Sequence, residues 1–125
     1  MVYLLDTHLL LWWLADDARL PKKADILLRD PSKAFFVSAA SAWEISIKRA
    51  LGKLEAPPDL ENALNASHFA LLPIQVRHAV AAGALPPHHQ DPFDRMLVAQ
   101  ASLEGLTFLT HDMNLKAYGR FVQVV

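Results

Sequence analysis

Short apolar runs alternate along the chain with longer segments in which apolar residues recur at helical spacing. The short runs end in polar or turn residues, as buried strands do, and they predict four strands and a weaker fifth. These runs are VYLL (2–5), AFFVS (34–38), FALLPI (69–74), LTFLT (106–110) and FVQVV (121–125). Alternating strands and helices predict a mostly parallel sheet that is covered by helices on both faces.

The segments between these runs predict six helices, and several of them carry helix start or stop residues. They are THLLLWWLA (7–15), KKADILLRD (22–30), SAWEISIKRALGKL (41–54), PDLENALNASH (58–68), QVRHAVAAGAL (75–85) and DPFDRMLVAQASLEG (91–105). In the third helix, Trp43, Ile47 and Ala50 are expected to line one apolar side. We predict that Trp43, like Trp12 and Trp13, belongs to the core.

The composition indicates one globular domain over residues 1–125. The chain is 53 % apolar and shows no repeat, low-complexity tract or linker. The absence of cysteine excludes disulfides and thiolate metal sites, and it favours a reducing cytoplasm. The apolar amino terminus lacks a positively charged lead and contains Asp6 and His8, which fits a secretory signal poorly. We therefore expect a cytoplasmic protein that does not associate with a membrane.

Four acidic residues fall at predicted strand ends or helix starts, which is where parallel sheets form their ligand crevice. They are Asp6, Glu44, Asp94 and Asp112. Each also has a structural interpretation. Asp6 or Thr7 could cap the first helix, and Ser41 with Glu44 has the spacing of a capping box. Asp91 and Asp94 suit a helix start, and Asp112 could cap a short helix near the carboxyl end.

The functional interpretation takes the four acids together. Asp6 interrupts an apolar stretch, and a partly buried carboxylate must be protonated, paired or bound to a metal. Converging carboxylates repel one another unless a cation neutralises them, and their hard oxygen atoms suit Mg²⁺ or Mn²⁺. Without these four acids, nine acidic residues would face twelve Lys and Arg residues, so the remaining surface is mildly basic. Composition therefore permits a nucleic-acid partner without requiring one.

The histidines and the basic residues have simpler explanations. His88 and His89 lie in a proline-rich loop and are interpreted as solvated residues. Lys48, Arg49 and Lys53 project from the third helix, where a solvated face is favoured over a phosphate-binding track.

Several segments carry a resemblance that runs along nearly the whole chain. YLLDTHLLLWWL, VSAASAWEISIKRALGKL, LPPHHQDPFDRMLVAQA and LTFLTHD resemble PIN-domain ribonucleases, and more narrowly the VapC-type toxins of type II toxin–antitoxin pairs. The resemblance implies a PIN-like α/β/α sandwich and divalent-metal-dependent cleavage of RNA with Mg²⁺ or Mn²⁺. It implies a site formed by Asp6, Glu44, Asp94 and Asp112, with supporting positions at Thr7, Asp91 and Arg95. It also implies a cognate antitoxin and a homodimer.

Other classes of protein fit the residues less well. A haloacid-dehalogenase-like phosphatase needs a second Asp two residues after the first, where this chain has His8. A response-regulator receiver needs adjacent acids after the first strand and a late Lys, and FLTHD supplies neither. A non-catalytic RNA- or protein-binding module with the PIN fold stays open.

Overall fold

The computed structural model of the chain describes residues 1–125 and contains five strands, six α-helices and one short 3-10 helix. The strands are β1 Val2–Leu5, β2 Ala34–Ser38, β3 Ala70–Leu72, β4 Thr107–Thr110 and β5 Val122–Val124. The helices are α1 Thr7–Leu14, α2 Lys22–Arg29, α3 Ala39–Ala50, α4 Leu60–Ala66, α5 Val76–Ala84 and α6 Pro92–Glu104, and the 3-10 helix is Met113–Tyr118.

The five strands form one parallel sheet in the order β3-β2-β1-β4-β5. Alternate residues of β1 enter different cores, because successive side chains of a strand point to opposite faces. Tyr3 and Leu5 join a cluster with residues of α1 and α2, and Leu4 joins a cluster with residues of α6. The predicted α/β class with a parallel sheet between helical layers is confirmed.

The connectivity determines where a ligand crevice can form. The chain builds β1, β2 and β3 outward in one direction and then returns to place β4 against the other side of β1. Ligands of open parallel sheets bind at such a reversal, beyond the carboxyl ends of the strands. Asp6 directly follows β1 and Asp112 lies two residues beyond β4, so both acids lie at this reversal.

The amino end of α3 differs from the prediction. The helix begins at Ala39, and the Ser38 side chain caps it by accepting a hydrogen bond from the Ala40 amide. Because the helix begins earlier than expected, the predicted Ser41–Glu44 capping box is wrong. Glu44 lies in the second turn, on the buried face that also contains Ala40, Ser41 and Ile45.

The prediction that Trp43 belongs to the core is also wrong, because its side chain is 61 % exposed. The buried face of α3 is formed by Ala40, Ser41, Glu44 and Ile45, and Trp43 falls outside that face. Its indole packs edge-on against Phe93 at the start of α6, with ring centroids 5.3 Å apart. Trp12 and Trp13 are partly buried and pack against the core, as predicted.

The long helix α6 has the start and stop that its sequence predicts. Oδ1 of Asp91 accepts hydrogen bonds from the amides of Phe93 and Asp94, at 2.8 and 3.0 Å. Gly105 ends the helix in the left-handed conformation at φ 67°, which suits a residue without a Cβ atom. None of the helices combines the length and the apolar character that a membrane crossing requires.

Candidate active site

Asp6 is a buried carboxylate at the centre of the crevice, with only 3 % of its surface exposed. Its Oδ1 atom accepts a hydrogen bond from the His8 amide at 3.1 Å and thereby caps α1. Its Oδ2 atom accepts a hydrogen bond from the Thr110 hydroxyl at the end of β4. Asp6 therefore caps α1 and also lies in the candidate site, and the two hydrogen bonds fix the orientation of its carboxylate. The same carboxylate lies 3.8 Å from Nδ1 of His8 and raises the pKa of that ring.

Asp94 lies on the first turn of α6, and its environment disfavours negative charge. Burial, together with the nearby carboxylates of Asp6 and Asp91, raises its pKa to about 7, and Glu44 acts in the same direction. His89 opposes this effect, and the amino end of the helix also favours an anion, but neither outweighs burial and repulsion. Asp6, Glu44 and Asp94 are therefore close enough to interact electrostatically.

Glu44 is buried in the same region, and only one of its two carboxylate oxygens has a hydrogen-bond partner. Its Oε2 atom pairs with Nζ of Lys48 at 2.6 Å, and this hydrogen bond raises the pKa of the lysine. Its Oε1 atom is buried without a hydrogen-bond partner in the protein. A buried carboxylate oxygen that lacks a partner is costly, and such an atom is suited to bind a cation. The prediction of a solvated Lys48 is wrong, whereas Arg49 and Lys53 are exposed.

Asp112 caps the 3-10 helix with one oxygen and faces a histidine with the other. Oδ1 accepts from the Asn114 amide at 2.9 Å, and Oδ2 lies 3.1 Å from Nε2 of His89. His89 Nε2 also lies 3.7 Å from Oδ2 of Asp94, so the ring is located between two carboxylates. The predicted solvated state is wrong for His89, whose side chain is 20 % exposed, while His88 is exposed as expected.

The three positions expected to have supporting roles make different contacts. Thr7 is buried, and its hydroxyl lies 2.8 Å from that of Ser41, which ties α1 to α3. Asp91 caps α6 and so orients the turn that contains Asp94. Arg95 points away from the carboxylates and donates hydrogen bonds to backbone carbonyls at the end of α5 and in the following loop.

Sequence reasoning missed three residues of this region: Thr110, Lys48 in its pairing role, and His89. The spacing of Lys48 four residues after Glu44 on one helix could have revealed the ion pair. Thr110 ends β4 beside β1, and its contact with Asp6 depends on the strand order. No local pattern indicates the direction of His89, because the path of its loop depends on distant contacts.

The carboxylate group fits a divalent cation on four observations. The donors of Asp6, Glu44, Asp94 and Asp112 are hard oxygen atoms of the kind that Mg²⁺ and Mn²⁺ prefer. One of them, Oε1 of Glu44, is buried without a partner. Burial raises the pKa of Asp94, and so does repulsion by neighbouring carboxylates, which a cation would relieve. Asp94, Asp112 and His89 offer possible ligand atoms within 4.8 Å of one another.

A cleft of about 560 Å³ opens beside the carboxylates, with Thr7 and Glu44 among its lining residues. Its walls include His8, Lys48, Lys53 and Arg19. The Arg19 guanidinium lies over the ring of Trp12 at 5.6 Å and is paired with Asp17 at 2.8 Å. Asp17 and Glu55 also line the cleft, so its walls carry charges of both signs.

The fold and the site together define a parallel α/β protein with an acidic cleft at the point where the strand order reverses. Residues 3–120 match the model of the PIN domain family, and the chain belongs to that family. The resemblance seen in the sequence is thus confirmed at the level of the family. A search of curated proteins found no match.

Two solved structures are similar to the chain in fold. One is VapBC2 from Rickettsia felis bound to a DNA fragment from their promoter. It has a TM-score of 0.68 and 14 % identity, and the match covers 100 % of this chain and 98 % of that chain. The other is a toxin–antitoxin complex from Klebsiella pneumoniae, with a TM-score of 0.64 and 20 % identity, where the match covers 98 % of this chain and 95 % of that chain. At these identities the likeness establishes the fold alone.

Proposed function

We propose that this protein is a divalent-metal-dependent endoribonuclease and the toxin of a type II toxin–antitoxin pair. The observation that carries the proposal is the uncompensated carboxylate group at the crevice. Burial and neighbouring acids raise the pKa of Asp94 to about 7, and a buried oxygen of Glu44 has no partner. Each of these groups costs folding free energy in the metal-free protein, and a bound cation would offset that cost.

Asp6, Glu44, Asp94 and Asp112 would hold Mg²⁺ or Mn²⁺. A divalent ion supplies Lewis-acid chemistry, because it makes water nucleophilic near neutral pH and offsets charge that develops on a phosphate. The protein itself fixes the orientation of the carboxylates: Thr110 and the amino end of α1 hold Asp6, and Asp91 caps the helix whose first turn contains Asp94. Lys48 balances the charge of Glu44.

RNA is the substrate class that we favour. Lys53 and two ion-paired cations, Arg19 and Lys48, line the cleft beside the carboxylates, and such side chains can contact a phosphate backbone. Single-stranded or looped RNA is preferred over duplex RNA, because its bases can be splayed out and read.

An antitoxin and a second copy of this chain are the proposed protein partners. The similar structure from Klebsiella pneumoniae is a toxin–antitoxin complex, and the other is VapBC2 bound to promoter DNA, which supports an antitoxin here. An apolar groove of about 440 Å³ between α3, α4 and β3 could accept an apolar segment, and Leu71 on its edge is 48 % exposed. Val76 and Val80 on α5 are also exposed and could take part in a homodimer.

The test is cleavage of a mixed RNA pool by the purified chain, freed of any partner, in Mn²⁺, in Mg²⁺ and in chelator. Asp94→Asn is compared at equal folded content, with Glu61→Gln as the matched control. Glu61 is an exposed acid on α4 and does not belong to the carboxylate group.

We expect metal-dependent cleavage by the parent chain and by Glu61→Gln, and a loss of cleavage in Asp94→Asn. Undiminished cleavage by Asp94→Asn would remove that residue from the site and contradict the mechanism. Metal binding without cleavage of any RNA in the pool would favour the non-catalytic binding module instead.

A further inference from the structure

The imidazole of His89 is held between two proposed metal ligands, and nothing in the sequence pattern assigns it a role there. Its Nε2 atom lies 3.1 Å from Oδ2 of Asp112 and 3.7 Å from Oδ2 of Asp94. These three groups could form a mixed nitrogen and oxygen metal site, in which the imidazole itself binds the ion. Alternatively, the ring could act on the carboxylates as a hydrogen-bond donor.

The backbone decides between these roles by fixing the tautomer. Nδ1 of His89 accepts a hydrogen bond from the Asp91 amide at 3.2 Å, so Nδ1 carries no proton. The neutral ring must then carry its proton on Nε2. Nε2 is therefore a donor directed at Asp112, and it has no lone pair in the ring plane to offer a cation.

The backbone of the loop that contains His89 is fixed by contacts from outside the site. The Tyr118 hydroxyl accepts from the His89 amide at 3.0 Å and donates to the Pro86 carbonyl at 2.8 Å. The Arg95 guanidinium donates to the carbonyls of His89 and Pro86, both at 3.2 Å, and to that of Leu85 at 3.0 Å. This gives Arg95 a physical role, because it fixes the path of the loop and therefore the position of the ring.

We propose that His89 is a positioning residue of the metal site, in which its Nε2–H group orients the carboxylate of Asp112 without binding the ion. One oxygen of Asp112 caps the 3-10 helix. A hydrogen bond from His89 to the other oxygen then restricts rotation of the carboxylate further. A metal site gains affinity when groups around the ligands hold them in place, because less freedom is lost on binding. The inference rests on the proposed function, since it presumes that Asp94 and Asp112 bind a divalent cation.

The test is Mn²⁺ binding to the metal-free chain, measured by the loss of the free-ion EPR signal. Four proteins are compared: the parent, His89→Phe, His89→Gln and His88→Phe. Phenylalanine keeps the ring volume but removes the donor, whereas glutamine places an N–H group near the position of Nε2. His88→Phe is the matched control, because His88 is exposed and only packs edge-on against Tyr118.

We expect His89→Phe to weaken Mn²⁺ binding by about tenfold or more, as removal of such supporting groups commonly does. His89→Gln should restore most of that loss, and His88→Phe should bind as the parent does. Pulsed EPR of the parent with bound Mn²⁺ should lack the strong ¹⁴N coupling of a coordinated imidazole. This measurement needs only the parent chain, so it tests the proposal even where His89→Phe impairs folding.

Strong ¹⁴N coupling, or parent-like binding by a folded His89→Phe, would overturn the proposal while leaving the nuclease function standing. Mn²⁺ binding that responds to His89 in a chain that cleaves no RNA would overturn the nuclease function alone. A parent chain that does not bind Mn²⁺ would overturn both.

Discussion

Replacement of Asp94 by Asn should make the metal-free protein more stable, and the gain should grow with pH. The pKa of this carboxyl is about 7 in the folded chain, against an ordinary value of 3.8. Between these two values the unfolded chain loses the proton while the folded chain keeps it. The folded state then binds more protons than the unfolded state, so its stability falls as the pH rises through this range. An Asn side chain has a similar shape and no charge, so it avoids this loss.

The size of the effect follows from the difference between the two pKa values. At pH 8 the carboxyl disfavours folding by about 4 kcal/mol, since each pH unit between the two pKa values contributes about 1.4 kcal/mol. At pH 5 the same calculation gives about 1.5 kcal/mol. The advantage of Asp94→Asn in free energy of unfolding should therefore increase by about 2.5 kcal/mol between pH 5 and pH 8.

The assay is urea unfolding of the parent and Asp94→Asn at pH 5 and pH 8 in chelator, followed by tryptophan fluorescence and circular dichroism. Asp25→Asn is the control, because Asp25 is paired with Arg29 on the surface of α2 and should matter little at either pH. A saturating concentration of Mn²⁺ should narrow the difference at pH 8. A ligand at a hundred times its Kd stabilises by about 2.7 kcal/mol, and Asp94→Asn should lose that gain, so its advantage should shrink by about that amount.

A difference between parent and Asp94→Asn that is equal at both pH values would refute the reasoning. It would mean that Asp94 titrates alike in the folded and unfolded chains, so the carboxylates would not be crowded. A difference between the two proteins that is the same with and without Mn²⁺ would separately argue against a metal at Asp94.

Three further changes test other contacts of the structure. Arg95→Lys should lower the free energy of unfolding by about 2 kcal/mol in urea titrations, because one ammonium group cannot replace a guanidinium that donates to several carbonyls. An unchanged midpoint would contradict the role of Arg95 in holding the loop. Gln100→Leu should cost about 1 to 3 kcal/mol by the same assay, since it leaves the buried hydroxyl of Ser38 without its acceptor; a neutral result would show that the hydroxyl finds another partner. Lys48→Met should lower the Tm more in chelator than in Mn²⁺, because a bound cation can replace the lysine beside Glu44; equal losses in both would contradict that role.

Helix and strand positions could be predicted from local patterns, whereas the contacts within the site could not. The strands Val2–Leu5 and Ala34–Ser38 agree with the prediction to the residue, because the first apolar run stops before Asp6 and the second ends at Ser38. The helix start at Asp91 was equally evident, because the cap and the proline act within a few residues.

The errors arose where the outcome depends on distant parts of the chain. The capping box was offered as the structural alternative for Glu44 because the spacing from Ser41 fits, but Ser38 is the residue that caps α3. His89 was interpreted as solvated because its loop is rich in proline, yet Arg95 and Tyr118 fold that loop over the crevice. Such contacts join residues whose proximity becomes known only once the strand order is known.

The aspartates of the site divide into two kinds, according to whether backbone amides donate to them. Asp6, Asp91 and Asp112 each use Oδ1 to cap a helix and accept a hydrogen bond from at least one amide. Asp94 lies inside a helix and caps nothing, and its nearest ionisable partner is His89 at 3.7 Å. It therefore has no comparable compensation for the charge of its neighbours. Capping hydrogen bonds thus orient the other three carboxylates. The repulsion among the acids is least compensated at Asp94, which is therefore the residue that a bound cation would stabilise most.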